Sequence, residues 1–207
     1  YLPPQNVVGE PVGRDTAPAV ALATALVKAR DPQGVFCILA ADHVIGNLDV
    51  FQATLNDALG IAAKQDVLIT IGIQPTEPAT GYGYIQLGDV VETGTGTSFS
   101  KASQFVEKPN LATAESYVAG GDYVWNSGMF IWSVASIEKA LLAFRPAIGA
   151  IIDVISEAAK SGKLDATLAA MFGAVEKISI DYAVMEKAGN IIAARGTFAW
   201  DDVGSWT

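Results

Sequence analysis

The sequence predicts an α/β fold built on a mostly parallel sheet with an antiparallel insertion, and three observations carry that reading. Apolar runs of strand length alternate with amphipathic helical stretches, the punctuation of βαβ units. One run, Val35-Phe36-Cys37-Ile38-Leu39-Ala40-Ala41, is unbroken and leads straight into Asp42-His43. In the middle of the chain the rhythm changes to two strand-like stretches joined by a long polar loop.

The first element is a helix. Asp15-Thr16 before Ala17-Pro18 is a start signal, since proline is tolerated in the first turn, and Asp31-Pro32 stops the helix after Arg30. Residues 35–41 follow as a strand. They lack alternation, so they read as covered on both faces, with Asp42 at the carboxyl end, where open α/β sheets bind ligands. Residues 48–64 place Phe51, Leu55, Leu59 and Ala62 on one helical face, and residues 67–73 form a second buried strand. Residues 83–87 and 104–106, separated by the polar stretch 92–100, make the antiparallel insertion. Residues 129–132 resume the apolar strand pattern. Residues 137–172 are mostly helical, with breaks near Arg145-Pro146 and Ser161-Gly162. Residues 191–197 are a last strand, which delivers Trp200-Asp201-Asp202-Val203-Gly204-Ser205-Trp206 at its far end.

Composition bounds the function. With 207 residues, 51% of them hydrophobic, the chain can bury one substantial core and reads as one globular domain. Its net charge of −9 argues against a general affinity for nucleic acid or an anionic membrane, so any anion site must be local. The longest apolar stretch, residues 147–152, falls well short of the roughly 20 residues a membrane span needs. The single Cys37 sits mid-strand as a small hydrophobe, which excludes an internal disulfide and fits a reducing cytoplasm. His43 is the only histidine, so no His-rich metal cluster is available. Gly94-Thr95-Gly96 begins a dinucleotide fingerprint, but Phe99 takes the third glycine's place. Neither a phosphate-binding loop ending in Gly-Lys-Ser/Thr nor a G-x-S-x-G nucleophile elbow occurs.

Four segments set polar groups beside strands. Glu107-Lys108-Pro109 closes one strand, because proline withholds a donor and fixes φ. The pair is either an exposed ion pair, or Lys108 holds a phosphate while Glu107 accepts from sugar hydroxyls. Asn126-Ser127-Gly128 is either a turn or an amide able both to donate to and accept from a hydroxyl. Thr80-Gly81-Tyr82-Gly83-Tyr84 offers backbone without bulk, for a ligand or for an ordinary turn. Asp201 and Asp202 are either surface acids or, if one meets Asp42, a pair of hard oxygen ligands suited to Mg²⁺.

Taken together and in order, residues 10–19, Ala41-Asp42-His43, residues 80–85, Phe105-Val106-Glu107-Lys108-Pro109, Trp125-Asn126-Ser127-Gly128-Met129-Phe130, residues 179–187 and residues 200–206 resemble the mannose-1-phosphate guanylyltransferase, or GDP-mannose pyrophosphorylase, family. Each motif is weak alone. Seven in the family's order, over nearly the whole chain, are specific.

The resemblance implies a Rossmann-like α/β/α sandwich of the nucleotide-diphosphosugar transferase type, and the Mg²⁺-dependent reaction of GTP with mannose 1-phosphate to give GDP-mannose and pyrophosphate. It implies that Asp42 and Asp202 bind the metal, with Asp201 a spacer, and that Lys108 grips the sugar phosphate. Glu107, Asn126 and Gly83 match sugar-contacting positions. Glu10, Arg14, Asp15 and Thr16 fall in the nucleobase segment, and Asp181 has a supporting role, capping the helix that runs to Lys187. The family also carries, upstream of the segment that opens this chain, a first strand and a glycine-rich triphosphate loop that nothing here matches. Residues 1–207 are therefore expected to be an N-terminally incomplete nucleotidyltransferase domain. A homo-oligomer stays open. So do two alternatives: another sugar-1-phosphate nucleotidyltransferase, which would share Asp42, Glu107, Lys108 and Asp202, and a non-catalytic nucleotide-sugar-binding regulatory subunit.

Overall fold

The computed structural model describes residues 2–203. Its centre is a six-stranded sheet in the order β1-β6-β3-β7-β5-β4, where β1 is Val35–Ile38, β3 is Leu68–Ile73, β4 is Gly83–Val91, β5 is Phe99–Val106, β6 is Tyr123–Ser133 and β7 is Ile191–Gly196. A separate two-stranded ribbon pairs β2, His43–Ile45, with β8, Trp200–Asp202. The helices are α1 (Thr16–Arg30), α2 (Leu48–Ala62), α3 (Leu111–Gly120), α4 (Val134–Phe144), α5 (Pro146–Lys160) and α6 (Leu164–Met171).

The sheet separates two cores, and the two-residue period of the strands decides which side chain enters which. On β6, Phe130 and Trp132 join α1, α4, α5 and α6 in one core, while Met129 and Ile131 join α2 and Ala114 of α3 in the other. The result is the expected α/β/α sandwich. The helical boundaries follow local chemistry: Asp15 accepts from the Thr16 amide at 2.9 Å to open α1, and Ser133 and Asn110 cap α4 and α3 through the amides of Ser136 and Thr113. No described helix is long and apolar enough to cross a membrane.

Two expectations need correction. The sheet is mixed rather than mostly parallel: among the described residues β3 and β7 are its one parallel pair, and the other hydrogen-bonded neighbours run antiparallel. The βαβ direction survives, since β1 and β3 both oppose β6 and so point the same way, but β6 lies between them. The apolar run at residues 35–41 yields only the four-residue β1, half-buried at the sheet's edge, with Leu39, Ala40 and Ala41 exposed. An edge strand has one neighbour, so the apolar run alone could not tell it from a central strand.

Strand β6 also absorbs Asn126-Ser127-Gly128, which is a bulge inside a strand rather than a turn between two. Thr70 pairs with Phe130 and Gly72 with Asn126, so Ser127, Gly128 and Met129 oppose Ile71 alone. Gly128 takes a φ of +70° to accommodate the extra residues. The bulge is tied internally: the buried Ser127 hydroxyl donates to the Ile71 carbonyl at 2.7 Å and accepts from the Met129 amide at 3.3 Å. Removing that hydroxyl strands a buried carbonyl and a buried amide, at about 1–3 kcal/mol. Ser127→Ala should therefore lower the urea midpoint by that equivalent with an unchanged m-value, and an unaltered midpoint would show that the bulge does not depend on this link.

Candidate active site

The ribbon brings together two segments far apart in the chain. Asp42 lies in the bend just before β2, and β2 meets β8 antiparallel with His43 opposite Asp202, Val44 opposite Asp201 and Ile45 opposite Trp200. The Gly46 amide extends the pairing to the Ala199 carbonyl at 2.8 Å. One ligand-capable atom each from Asp42, His43 and Asp202 lie within 4.8 Å of one another. Two carboxylates at this spacing present hard oxygens to one side of a small cation and leave its other positions to water or phosphate, so the donor set fits a divalent metal. The expected Asp42–Asp202 pair is thus formed. It stands on the ribbon, though, and not at the carboxyl ends of two sheet strands.

Asp201 alternates with Asp202 along β8 and is exposed, opposite the exposed Val44, as a spacer should be. Gly204, Ser205 and Trp206, the end of that motif, lie outside the described residues.

Beside the ribbon is a cavity of about 190 Å³ lined by His43, Gly81, Tyr82, Gly83, Glu107, Lys108, Asn126, Ser127, Gly128, Asp181, Trp200 and Asp202. Four of the expected contact residues, Gly83, Glu107, Lys108 and Asn126, meet there although they come from β4, the end of β5 and the bulge of β6. Lys108 holds a φ of +46°, a left-handed conformation that costs a non-glycine residue energy and turns its side chain away from the line of β5. Its Nζ is 3.6 Å from Glu107 Oε1, and the two side chains differ sharply in exposure, 62% against 13%. Lys108 is therefore a charge held at the rim, while Glu107 is a carboxylate in the wall. Gly83 leaves room for that wall: a Cβ there would meet Glu107 Oε2 at 2.6 Å and displace the end of the carboxylate.

Asp181 belongs to the same wall, against the expectation that it caps a helix. Residues Asp181–Met185 form one π-helical turn whose N-cap, Ile180, supplies no side-chain bond. The Ser179 hydroxyl takes the Tyr182 amide at 3.3 Å, which leaves the Asp181 carboxylate to accept from Asn126 Nδ2 at 3.0 Å. Asn126 Oδ1 in turn accepts from Thr70 Oγ1 at 2.8 Å, so the amide orientation is set on both sides. Burial holds Asp181 above the ordinary aspartate range, against the stabilising bond from Asn126. Burial, reinforced by the negative charge of Asp181, likewise raises Glu107, against the pull of Lys108.

An aromatic chain links this wall to the ribbon. Trp200 packs edge-on against Tyr82 at 5.3 Å, and Tyr82 against Trp125 at 5.1 Å. Burial, with the charges of Asp202 and Asp201 behind it, pushes the Tyr82 phenol up. Tyr82 and Trp200 stood in motifs already singled out, but only as neighbours of glycine and aspartate; nothing in their spacing marks them as contacts of one another.

The nucleobase candidates do not line this cavity. Glu10 is exposed, Asp15 caps α1 with a φ of +67°, and the Arg14 Nε is buried without a hydrogen-bond partner among the described residues. Thr16 Oγ1 accepts from the Ile180 amide at 2.8 Å and so braces the residue before Asp181. A larger groove of about 590 Å³ runs along α1 between Val8, Leu26, Arg30 and Lys160, but it gathers no carboxylates and no strained residue.

The fold is thus a layered α/β/α sandwich that gathers two carboxylates, a rim lysine and an amide in and beside one cavity. The chain belongs to the nucleotidyl transferase family, whose sequence pattern matches residues 4–207. Members of this family generally work with a divalent metal. The chain is 41% identical over 208 residues to the xanthan biosynthesis protein XanB of Xanthomonas campestris, a match that covers 99% of this chain and 42% of that one. It is 40% identical over 209 residues to the mannose-1-phosphate guanylyltransferase of Escherichia coli, covering 98% of this chain and 43% of that one. Among solved structures, one from Thermus thermophilus described as a mannose-1-phosphate geranyltransferase matches with a TM-score of 0.80 and 36% identity, over 96% of this chain and 55% of that one. The chain spans less than half the length of the curated relatives it matches.

The facing acids make a testable signature. A carboxyl whose folded pKa is raised destabilises the fold once it ionises: the penalty is absent below its unfolded pKa, about 4, and is complete above the raised folded value. Asp181→Asn keeps an acceptor for Asn126 and removes the charge facing Glu107. The variant should match the wild type near pH 4 and become the more stable of the two as pH rises to 7, measured by urea unfolding; equal stability at both pH values would place Asp181 outside a charged pair.

Proposed function

We propose that this chain carries the transfer of GMP from GTP to mannose 1-phosphate, giving GDP-mannose and pyrophosphate, with Mg²⁺ as the metal. The observation that carries the reading is the meeting, within one small cavity and its rim, of the Asp42–Asp202 pair, Lys108 and the Glu107–Asn126–Asp181 wall. That set divides into the two tasks the reaction needs: neutralising phosphate oxygens and recognising sugar hydroxyls. The 40% identity to the E. coli guanylyltransferase supports the choice of substrates. Residues 1–207 are read as part of one nucleotidyltransferase domain. A thiol left free in β1 suits a reducing cytoplasm.

The chemistry is charge management. A phosphate oxygen of the sugar phosphate forms a bond to the α-phosphorus of GTP, and the bond from that phosphorus to the pyrophosphate oxygen breaks in line with it. Bound between Asp42 and Asp202, Mg²⁺ would supply charge neutralisation at the reacting phosphates. Lys108 would hold the sugar phosphate from the rim, where its left-handed backbone fixes the direction of approach. Glu107 and Asp181 would accept from sugar hydroxyls, and Asn126, already bonded to Asp181 and Thr70, would keep the wall's donors and acceptors in register. No covalent intermediate on the protein is needed.

The test is a coupled pyrophosphate-release assay on the full-length protein with GTP and mannose 1-phosphate. Turnover is expected, and Asp202→Asn should lower it by about 10²-fold or more while leaving the circular dichroism spectrum unchanged. Near-normal turnover of the variant at saturating Mg²⁺ would remove the metal role. A clear preference for another nucleotide or sugar phosphate would identify a sister enzyme. Tight nucleotide-sugar binding without pyrophosphate release would identify a sensor.

A further inference from the structure

His43 is the third member of the cluster with Asp42 and Asp202, and its position invites a reading as a third metal ligand. The surroundings of the ring argue otherwise. Its side chain is only 7% exposed, and its Nδ1 lies 3.2 Å from Trp200 Nε1 across the β2–β8 ribbon. An indole N–H can only donate, so the atom facing it must be an acceptor. That single fact sets two things about the imidazole. The ring must be turned with a nitrogen, not a carbon, toward the indole, and that nitrogen must carry no proton.

A neutral imidazole with a bare Nδ1 carries its proton on Nε2. Nε2 faces Asp202, at 4.0 Å from Oδ1. This is beyond a direct hydrogen bond, so the N–H acts on the carboxylate as an electrostatic attraction across the ribbon, and the Asp202 side chain, 36% exposed, has room to turn toward it. Each ring nitrogen is thus committed, and neither has a lone pair for a cation. The edge-on packing of the two rings, with centroids 5.3 Å apart, holds the imidazole in that plane.

We propose that His43 is a positioning residue for the metal site and not a ligand in it: Trp200 fixes the Nε2–H tautomer, and that N–H orients the Asp202 carboxylate toward the cation it shares with Asp42. The proposal deepens the metal reading given under Proposed function and rests on it. The cross-strand register puts His43 opposite Asp202, and Trp200, two residues from Asp202 along β8 and opposite Ile45, reaches the same ring from its strand's same face. Metal-bound carboxylates are commonly held by such outer partners, whose loss costs 10–100-fold in metal affinity or activity.

The tautomer can be read without turnover. Full-length protein with ¹⁵N-labelled histidine is examined at mildly alkaline pH by long-range ¹H–¹⁵N correlation, with the His43 signals assigned by their loss in His43→Gln. The expected spectrum shows a protonated Nε2 and a bare Nδ1, both before and after Mg²⁺ is added. Trp200→Phe keeps an aromatic ring but loses the donor, and should give a mixture of tautomers. In parallel, the Mg²⁺ concentration for half-maximal activity should rise about 10–100-fold in His43→Asn and far less in His43→Gln, whose amide nitrogen reaches the position of Nε2. A proton on Nδ1, loss of the Nε2 proton on adding Mg²⁺, or equal Mg²⁺ requirements in the Gln and Asn variants would overturn the proposal. Turnover of the wild type that is indifferent to Mg²⁺ would remove the metal reading and the positioning role with it, while the spectrum would still report the tautomer, so the two failures are distinguishable.

Discussion

The molecule depends on the hydrogen-bonding demand of one buried strand. β6 runs for 11 residues through the middle of the sheet, and both of its edges must find partners away from water. It meets that demand by changing neighbours along its length: residues 123–126 pair with β4 and residues 130–133 with β1, while β3 pairs with residues on both sides of the bulge, 125–126 and 130–131. The bulge at Ser127–Met129 is where one set of partners gives way to the other. Because the extra residues bend the strand, Asn126 keeps its backbone pairing with Gly72 and Gly83 while its side chain reaches Thr70 and Asp181. A feature that solves a packing problem in the sheet thereby sets one wall of the site.

The second organising constraint is charge. The chain is acidic overall, with a net charge of −9, yet the proposed reaction requires its site to accept anions. It does so by placing its own acids according to task. Asp42 and Asp202 sit together at the surface ribbon, where a cation can answer them. Glu107 and Asp181 sit in the wall, where burial raises both and neutral hydroxyls are their natural partners. Lys108, on strained backbone at the rim, is the cation between the two groups. The aromatic chain from Trp125 through Tyr82 to Trp200 and His43 joins the wall to the ribbon.

Much of this was legible in the chain. The start of α1 at Thr16 and its end at Arg30 follow from Asp15, Pro18 and Pro32, because capping and proline geometry act within a few residues. The breaks at Arg145-Pro146 and Ser161-Gly162 fall where α5 begins and ends, for the same reason. Helix α2 presents Phe51, Leu55 and Leu59 to the core on one face, as their spacing requires. The pairing of Asp42 with Asp202 was accessible only through resemblance, since 160 residues separate them and no local rule links their positions.

What the sequence determined by itself are the quantities that depend on near neighbours: the limits of α1 and α5, the approximate places of most strands of the main sheet, the acidic balance, and the residue types available for phosphate and sugar chemistry. What only the tertiary structure decided are the partners. It inserted β6 between β1 and β3, reduced the apolar run before Asp42 to a short edge strand, and turned Asn126-Ser127-Gly128 from a turn into a bulge. It moved Asp181 from a helix cap into the wall of the cavity and gave His43 a donor from Trp200. The physical reason is common to all of them. A strand, a carboxylate or an imidazole takes its role from whatever satisfies its hydrogen bonds and charge, and those partners are brought by the fold from far along the chain.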